Sequence, residues 1–280
     1  MDIDKLNKIL DQVFTPDIDE IISKQDIIGM RLSGGIDSAF LCFLTMSKYP
    51  NKKILPITMY NKLRPAAMDA VENVVNALRI LNPESTLLEQ EIAFFDTSNF
   101  VKTQEMIDEF EKTGKKYNPK DLFQREWFTK LYDKYDNLHL YMSGETLNPP
   151  IDEQPRIITG ELRKFPDDRN HKKLKLISKR AVGNKVYKYE IRPFRNMNKR
   201  DVAGLVKELG LDKTLFPVTE TCETEIEMYA EYGKPDFFNL PYTKPGAEPC
   251  KRCWPCREKY WAYGYYDFNN VETVDEFKLF

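Results

Sequence analysis

Ser33-Gly34-Gly35-Ile36-Asp37-Ser38 is the run in this chain whose residue types and spacing most directly suggest chemistry. Two adjacent glycines let the backbone approach a ligand with no Cβ in the way. The residues before the run, Ile27 to Leu32, read as a buried strand, and those after it, Ala39 to Leu44, as an apolar helix. A tight turn in that position aims N–H groups and the positive end of a helix at whatever sits above it, which suits a phosphate. Ser33 and Ser38 add hydroxyl donors, and Asp37 can hold a magnesium ion against phosphate oxygens. The run lacks the Gly-Lys-Ser/Thr end of a Walker loop and the third glycine of a dinucleotide fingerprint. An ordinary strand-to-helix turn would account for a lone Gly-Gly pair. It does not account for six residues of this kind between a strand and a helix.

A second constellation lies late in the chain. Cys222, Cys250, Cys253 and Cys256 form a Cys-x27-Cys-x2-Cys-x2-Cys array, and thiolates two residues apart can share one metal across a turn. Four thiolates give the closed tetrahedral shell of structural zinc, which is the expectation here. An iron–sulfur cluster takes the same ligands, and unliganded or redox cysteines are a third reading. A closed four-thiolate site leaves no open position for catalysis, so it would staple a C-terminal tail rich in aromatics: Trp254, Tyr260, Trp261, Tyr263, Tyr265 and Tyr266. Those rings read as packing and subunit-contact surface rather than a base-stacking platform. Cys42, set among Leu41, Phe43 and Leu44, reads as a core residue rather than a nucleophile. Neither His139, in an apolar strand, nor His171 reads as a general base.

The elements that must position these residues follow from periodicity. Leu6, Ile9, Leu10 and Val13 recur at helical spacing, and a short helix over Asp17 to Ser23 precedes the first strand. Lys53 to Tyr60 reads as a second strand, Pro65 to Leu81 as an amphipathic helix, and Ser85 to Phe95 as a third strand. Leu122 to Tyr135 reads as a helix, with Trp127, Phe128 and Leu131 inward, and Leu138 to Ser143 as a fourth strand ending at Gly144. Alternation of this kind predicts an α/β fold with a doubly wound, mostly parallel sheet. Ligands in such sheets lie beyond the carboxyl ends of the strands, which would gather the glycine turn, Met59 and Gly144 on one edge. Residues 148–184, with Pro149, Pro150, Pro155 and Pro166, read as a long insertion beside that edge, open to a β-hairpin and to either a binding role or a plain surface role. Tyr187 to Pro193 is a further strand, and Val202 to Leu209 a helix with Asn198 as N-cap and Gly210 as its stop. The expected division is a nucleotide domain over 1–215 and a small zinc-binding subdomain over 216–280.

With 31% charged residues and a net charge of −2, the chain has no global bias toward nucleic acid, and its basic runs, Arg169 to Lys175 and Lys179-Arg180, read as solvated loop, with an anionic-ligand rim as the alternative. No apolar run approaches the ~20 residues that span a bilayer. The acidic start, Met1-Asp2-Ile3-Asp4, lacks a signal-peptide pattern, and a cytoplasmic location is the expectation.

The Ser-Gly-Gly-x-Asp-Ser pattern resembles the PP-loop of the N-type ATP pyrophosphatases, of adenine nucleotide alpha hydrolase-like fold. Together with Pro193-Phe194, Lys199, Glu208-Leu209-Gly210-Leu211, Thr221-Cys222 and the close Cys250 to Arg257, it resembles the 7-cyano-7-deazaguanine synthases in order along nearly the whole chain. The resemblance implies ATP with magnesium, phosphate contacts from Ser33, Gly34, Gly35, Asp37 and Ser38, charge neutralisation by Lys199, and backbone near the adenosine from Met59 and Gly144. A plain surface or strand-end role is the alternative for Lys199, Met59 and Gly144. It also implies a homodimer and a small-molecule acceptor with ammonia. The chain departs from that family at Tyr60-Asn61-Lys62-Leu63, where a Gly-Gln-x-His stretch belongs, and at Phe123-Gln124-Arg125-Glu126, where Pro-Gly-Arg-Asn belongs. The stretch Phe165-Pro166-Asp167-Asp168-Arg169 only echoes a third motif. Arg125 and Arg169 are the substrate candidates at these places, with a plain helix-surface charge as the alternative for Arg125. The implied reaction is ATP-dependent activation of the carboxylate of 7-carboxy-7-deazaguanine and its conversion with ammonia to amide and nitrile. Alternatives are adenylation of another acceptor, a sulfur-transfer relative needing a reactive cysteine near the loop, and a nucleotide-binding subunit without turnover.

Overall fold

The computed structural model describes residues 2–61, 66–95, 127–128, 130–135, 137–157, 177–182, 185–221 and 254–266. The chain opens with α1 (Ile3–Val13), capped by the Asp2 carboxylate accepting from the Asp4 and Lys5 N–H groups, and α2 (Pro16–Ser23). Leu6, Ile9, Leu10, Ile18 and Ile22 pack both helices onto the core. Then come β1 (Ile27–Arg31), α3 (Ile36–Lys48), β2 (Lys53–Asn61), α4 (Ala66–Leu81), β3 (Thr86–Leu87), β4 (Glu91–Phe95) and β5 (Leu138–Met142). A hairpin, β6 (Ile177–Val182) and β7 (Lys185–Ile191), completes a seven-stranded sheet.

The strand order is β3-β2-β1-β5-β7-β6, with β4 also on β2. Every pairing is parallel except β6 with β7. The expected α/β, mostly parallel architecture is therefore observed. Beyond β1 the chain moves to one side through β2 and returns on the other at β5, so the strand order switches at β1, the place where open α/β sheets form a ligand crevice.

Two local expectations change. The third strand is two pieces on the same edge: β3 pairs Lys53 and Ile54, then β4 pairs Ile57 to Asn61. The intervening residues 88–90 lie outside both pieces, and Gln90 instead donates its side-chain amide to Thr58 Oγ1 at 2.6 Å. In the stretch 148–184 read as an insertion, β6 is an edge strand of the main sheet, paired antiparallel to β7.

Both faces of the sheet are covered. Ile28, Met30, Ile54, Leu140 and Met142 face the larger core, where α3 is buried nearly all round. A helix apolar on all sides belongs at the centre of a layer. Phe40 stacks on Phe194 with ring centroids 5.9 Å apart, a contact worth about 1 kcal/mol beyond its burial. Leu55, Ile57, Leu138 and Tyr141 face the other side, against Phe128 and Leu131 of the helical residues 127–128 and 130–134. Leu131 and Phe128 are thus inward as expected, with Trp127 half-buried.

The helix Lys199–Glu208 begins three residues earlier than its apolar stripe suggests, because Asn198 and Asp201 form a reciprocal capping box. Such caps contribute about 1 kcal/mol. Gly210 ends it with φ of 72°, a conformation that favours glycine. The C-terminal helix Trp254–Tyr263 docks on this helix: Lys207 Nζ donates to the Tyr263 carbonyl at 2.7 Å, and Arg200 lies 4.1 Å over the Trp261 ring. Trp261 in turn donates to Glu153 at 2.6 Å. Ala262 and Tyr263 belong to the same apolar core as α3, so the described residues of 216–280 share the core of the sheet. Tyr260 is the exposed ring of that helix and stacks on Tyr266. Among the described residues, no helix is long and apolar enough to cross a membrane.

Candidate active site

The turn between β1 and α3 is held by its own hydroxyls. The Ser33 N–H donates to Ser38 Oγ at 3.2 Å, and Ser38 Oγ donates to the Gly35 carbonyl at 2.9 Å. Gly34 sits at φ of 83°, where a side chain would be strained. Gly35 is the N-cap of α3 and no side chain caps it, so the helix start lies open to an anion.

The neighbouring strand ends crowd the turn. A Cβ on Gly144, just beyond β5, would lie 2.7 Å from the Asp37 carbonyl oxygen and 2.9 Å from the Ser38 nitrogen. Gly144 therefore brings β5 against the first turn of α3, a packing role that its sequence position only hinted at. On the opposite side the Glu220 N–H donates to the Gly34 carbonyl at 2.9 Å, and Thr221 closes over Gly35. Neither residue stood out in the sequence as part of the nucleotide loop.

Lys199, 162 positions further along the chain, places Nζ 2.7 Å from Asp37 Oδ2 and 3.6 Å from Glu258 Oε2. The lysine and Glu258 are both buried. Removing one partner of such a pair leaves an uncompensated charge at about 3 kcal/mol or more, so the three side chains form one unit. The other Asp37 oxygen, Oδ1, is buried with no hydrogen-bond partner. An orphaned carboxylate oxygen beside a phosphate-type turn fits a hard divalent cation such as magnesium.

Lys259 lies behind this unit, fully buried, with Nζ 3.2 Å from Thr219 Oγ1 and 4.4 Å over the Phe216 ring. Burial, reinforced by the nearby Lys199 charge, pushes its ammonium down to about 7, against the opposing pull of Asp37, Cys256 and Glu220. A second lysine behind the site was not legible in the sequence, because nothing in the local run Arg257-Glu258-Lys259 shows which distant segment covers it.

These groups line one cavity of about 400 Å³, within the range of small-molecule sites. The lining brings together Ser33, Gly35, Asp37, Ser38 and Lys199, the apolar Ile57, Met59 and Phe128, and the charged Arg31 and Glu145. Gly144 and Met59 thus line the cavity with the turn, while the Gly34 backbone lies in the turn itself. Arg192 pairs with Glu145 at 3.0 Å and forks onto buried Glu190. Burial alone would lower the Arg192 guanidinium, but the Glu145 and Glu190 charges outweigh it and raise it.

Cys256 is buried in the first turns of the C-terminal helix, whose Pro255 and Glu258 line the cavity. Cys222, Cys250 and Cys253 lie outside the described residues, as do Arg125, Arg169 and His171. Among the described residues, no group of histidine, cysteine and carboxylate side chains could hold a metal. Cys42 is wholly buried, and desolvation raises its thiol far above the ordinary range, which disfavours the thiolate that a nucleophile needs. His139 lies half-buried in β5, away from the cavity lining.

No family model matches the chain. No curated protein matches it either. Solved structures of similar fold include the U34-tRNA thiolase NcsA from Methanococcus maripaludis with its 4Fe-4S cluster, at 16% identity and a TM-score of 0.41, covering 99% of this chain and 80% of that one. They also include the NMN synthetase from Francisella tularensis, at 10% identity and a TM-score of 0.41, covering 99% and 91%. A third is the NAD+ synthetase from Burkholderia pseudomallei, at 15% identity and a TM-score of 0.40, covering 98% and 86%. At such scores these likenesses assign no activity.

Proposed function

We propose that the chain is an ATP-dependent carbon–nitrogen ligase that adenylates a carboxylate, with 7-carboxy-7-deazaguanine as its acceptor. The observation that supports the nucleotide part of this reading is the Lys199–Asp37 pair of 2.7 Å set across the Ser33-to-Ser38 turn in a single cavity; the acceptor rests on the resemblance of the sequence to the 7-cyano-7-deazaguanine synthases. That arrangement supplies a phosphate cradle, a cation and a carboxylate with one free oxygen, which are the parts a nucleotide triphosphate needs.

A carboxylate is a poor electrophile because its charge repels nucleophiles and oxide is a poor leaving group. Attack of a carboxylate oxygen on the ATP α-phosphorus forms a C–O–P link and expels pyrophosphate. Ammonia then adds to the acyl carbon, and AMP leaves with the electron pair of the C–O bond to give an amide. A second adenylation, at the amide oxygen, followed by loss of AMP and of the amide protons, gives the nitrile. The turn N–H groups and the Ser33 and Ser38 hydroxyls hold the phosphates, and Lys199 offsets charge on the leaving pyrophosphate. Magnesium bound at Asp37 Oδ1 would supply further shielding of the phosphate charge.

The four cysteines Cys222, Cys250, Cys253 and Cys256 hold a structural zinc in this reading, and the protein works as a cytoplasmic homodimer. Their spacing supports the zinc, and emission spectrometry of the purified protein checks it, with about one zinc per chain expected.

The direct test is a product assay with metal-replete protein, magnesium-ATP, ammonium and 7-carboxy-7-deazaguanine. AMP together with an amide or nitrile purine is the expected result. ATP binding without purine conversion would move the acceptor to another carboxylate or a nucleobase carbonyl, a reading that the Tyr60-Asn61-Lys62-Leu63 departure favours.

A further inference from the structure

Arg31 is the one charged residue in the run Ile27 to Leu32, and it sits at the carboxyl end of a strand central to the sheet. It stands opposite Ile57 of β2 in the parallel register, and both line the cavity with Phe128. A guanidinium at such a place needs a partner. The charged group facing it among the described residues is Glu145, at 3.9 Å, beyond hydrogen-bonding distance. Glu145 is already neutralised by Arg192 at 3.0 Å, and Arg192 is anchored by buried Glu190. The chain of charges Glu190, Arg192, Glu145, Arg31 is therefore tight at its buried end and slack where it meets the cavity.

We propose that Arg31 anchors the carboxylate of the second substrate, so that the cavity takes an anionic acceptor beside the nucleotide. The proposal rests on the reading of the glycine turn as the nucleotide's site. A carboxylate attacking a phosphate must be brought against like charge, which requires a cation on the acceptor's side. Lys199 and Arg31 are the cations lining the cavity among the described residues, and Lys199, paired with Asp37, stands on the nucleotide's side. Arginine presents a planar fork that binds both oxygens of a carboxylate. The adjacent Ile57 and Met59 side chains and the Phe128 ring offer an apolar wall for a flat acceptor body.

The test is a binding titration by ligand-detected NMR of the full chain loaded with magnesium and α,β-methylene-ATP. The probes are benzoate, 2-aminobenzoate and 7-carboxy-7-deazaguanine, each beside its carboxamide. Wild type is expected to bind at least one carboxylate and to prefer it over the carboxamide. Arg31→Gln should weaken that binding roughly tenfold or more, the scale of one charge-assisted hydrogen bond, while Arg31→Lys retains part of it. The Gln variant leaves Glu145 paired with Arg192, and an unchanged urea midpoint shows that it folds. Equal binding of acid and amide, wild-type affinity in Arg31→Gln, or no carboxylate binding to wild type would each overturn the proposal. If the ATP analogue itself does not bind wild type, the nucleotide reading fails in that first titration. The same probes on the nucleotide-free protein then decide Arg31 by the same outcomes.

Discussion

The turn that lines the cavity and the residues packed on it are built in different ways. The turn is local: Ser33 to Ser38 hold one another through hydrogen bonds spanning at most five positions. The surround is assembled: Lys199, Glu220, Thr221 and Glu258 come from segments well over a hundred residues away and meet the turn through ion pairs and one backbone hydrogen bond. A local turn survives as long as its two flanking elements fold. The assembled surround depends on the docking of the C-terminal helix, and so it is the part that other events in the chain can move.

The largest effect should come from breaking the turn itself. Asp37→Asn removes the negative charge that pairs with Lys199 and that a cation would need, and pyrophosphate release should fall by about a hundredfold or more. Lys199→Met should cost less, roughly tenfold, because the turn N–H groups still hold the phosphates. Equal losses in the two variants would erase the distinction between a local site and its assembled surround.

Gly144→Ala probes the place where the sheet meets the turn. Its Cβ would fall on Asp37 backbone, which cannot swing away as a side chain could, so β5 and α3 must separate. A stability loss of about 1–3 kcal/mol is expected from the urea midpoint, with reduced ATP affinity. A neutral variant would show the turn to be independent of the strand beside it.

The surround should carry a pH signature that the turn lacks. Lys259 is pushed down to about 7 in the folded protein from an ordinary value of 10.5. Between those values the unfolded chain binds the extra proton, so stability rises with pH across that window and the penalty is full below about pH 7. Lys259→Met should be the more stable protein at pH 6.5, and its advantage should shrink by pH 9.5. Parallel urea midpoints for the two proteins over that range would show that Lys259 does not titrate there.

The smallest effect belongs to Cys42. Cys42→Ala should leave pyrophosphate release within about twofold of wild type and lower stability by about 1 kcal/mol from the space it opens. Thiol labelling of Cys42 that ATP protects would instead place a reactive sulfur beside the loop.

The residues themselves determined much of the layered fold and the shape of the Ser33-to-Ser38 turn. Apolar runs alternating with amphipathic ones dictate strands and covering helices, and two glycines with two hydroxyls dictate a tight turn whose contacts are all nearby. Asn198 and Gly210, as cap and stop, were legible for the same reason. Tertiary structure alone decided that Thr86 to Phe95 is a broken edge, because the break depends on Gln90 turning to Thr58. It alone decided that Lys199 reaches Asp37, that Glu258 and Lys259 are buried rather than on a helix surface, and that Arg31 faces a cavity. A charged residue reads as solvated until a distant segment covers it, and periodicity within one helix or strand carries no record of which segment that is.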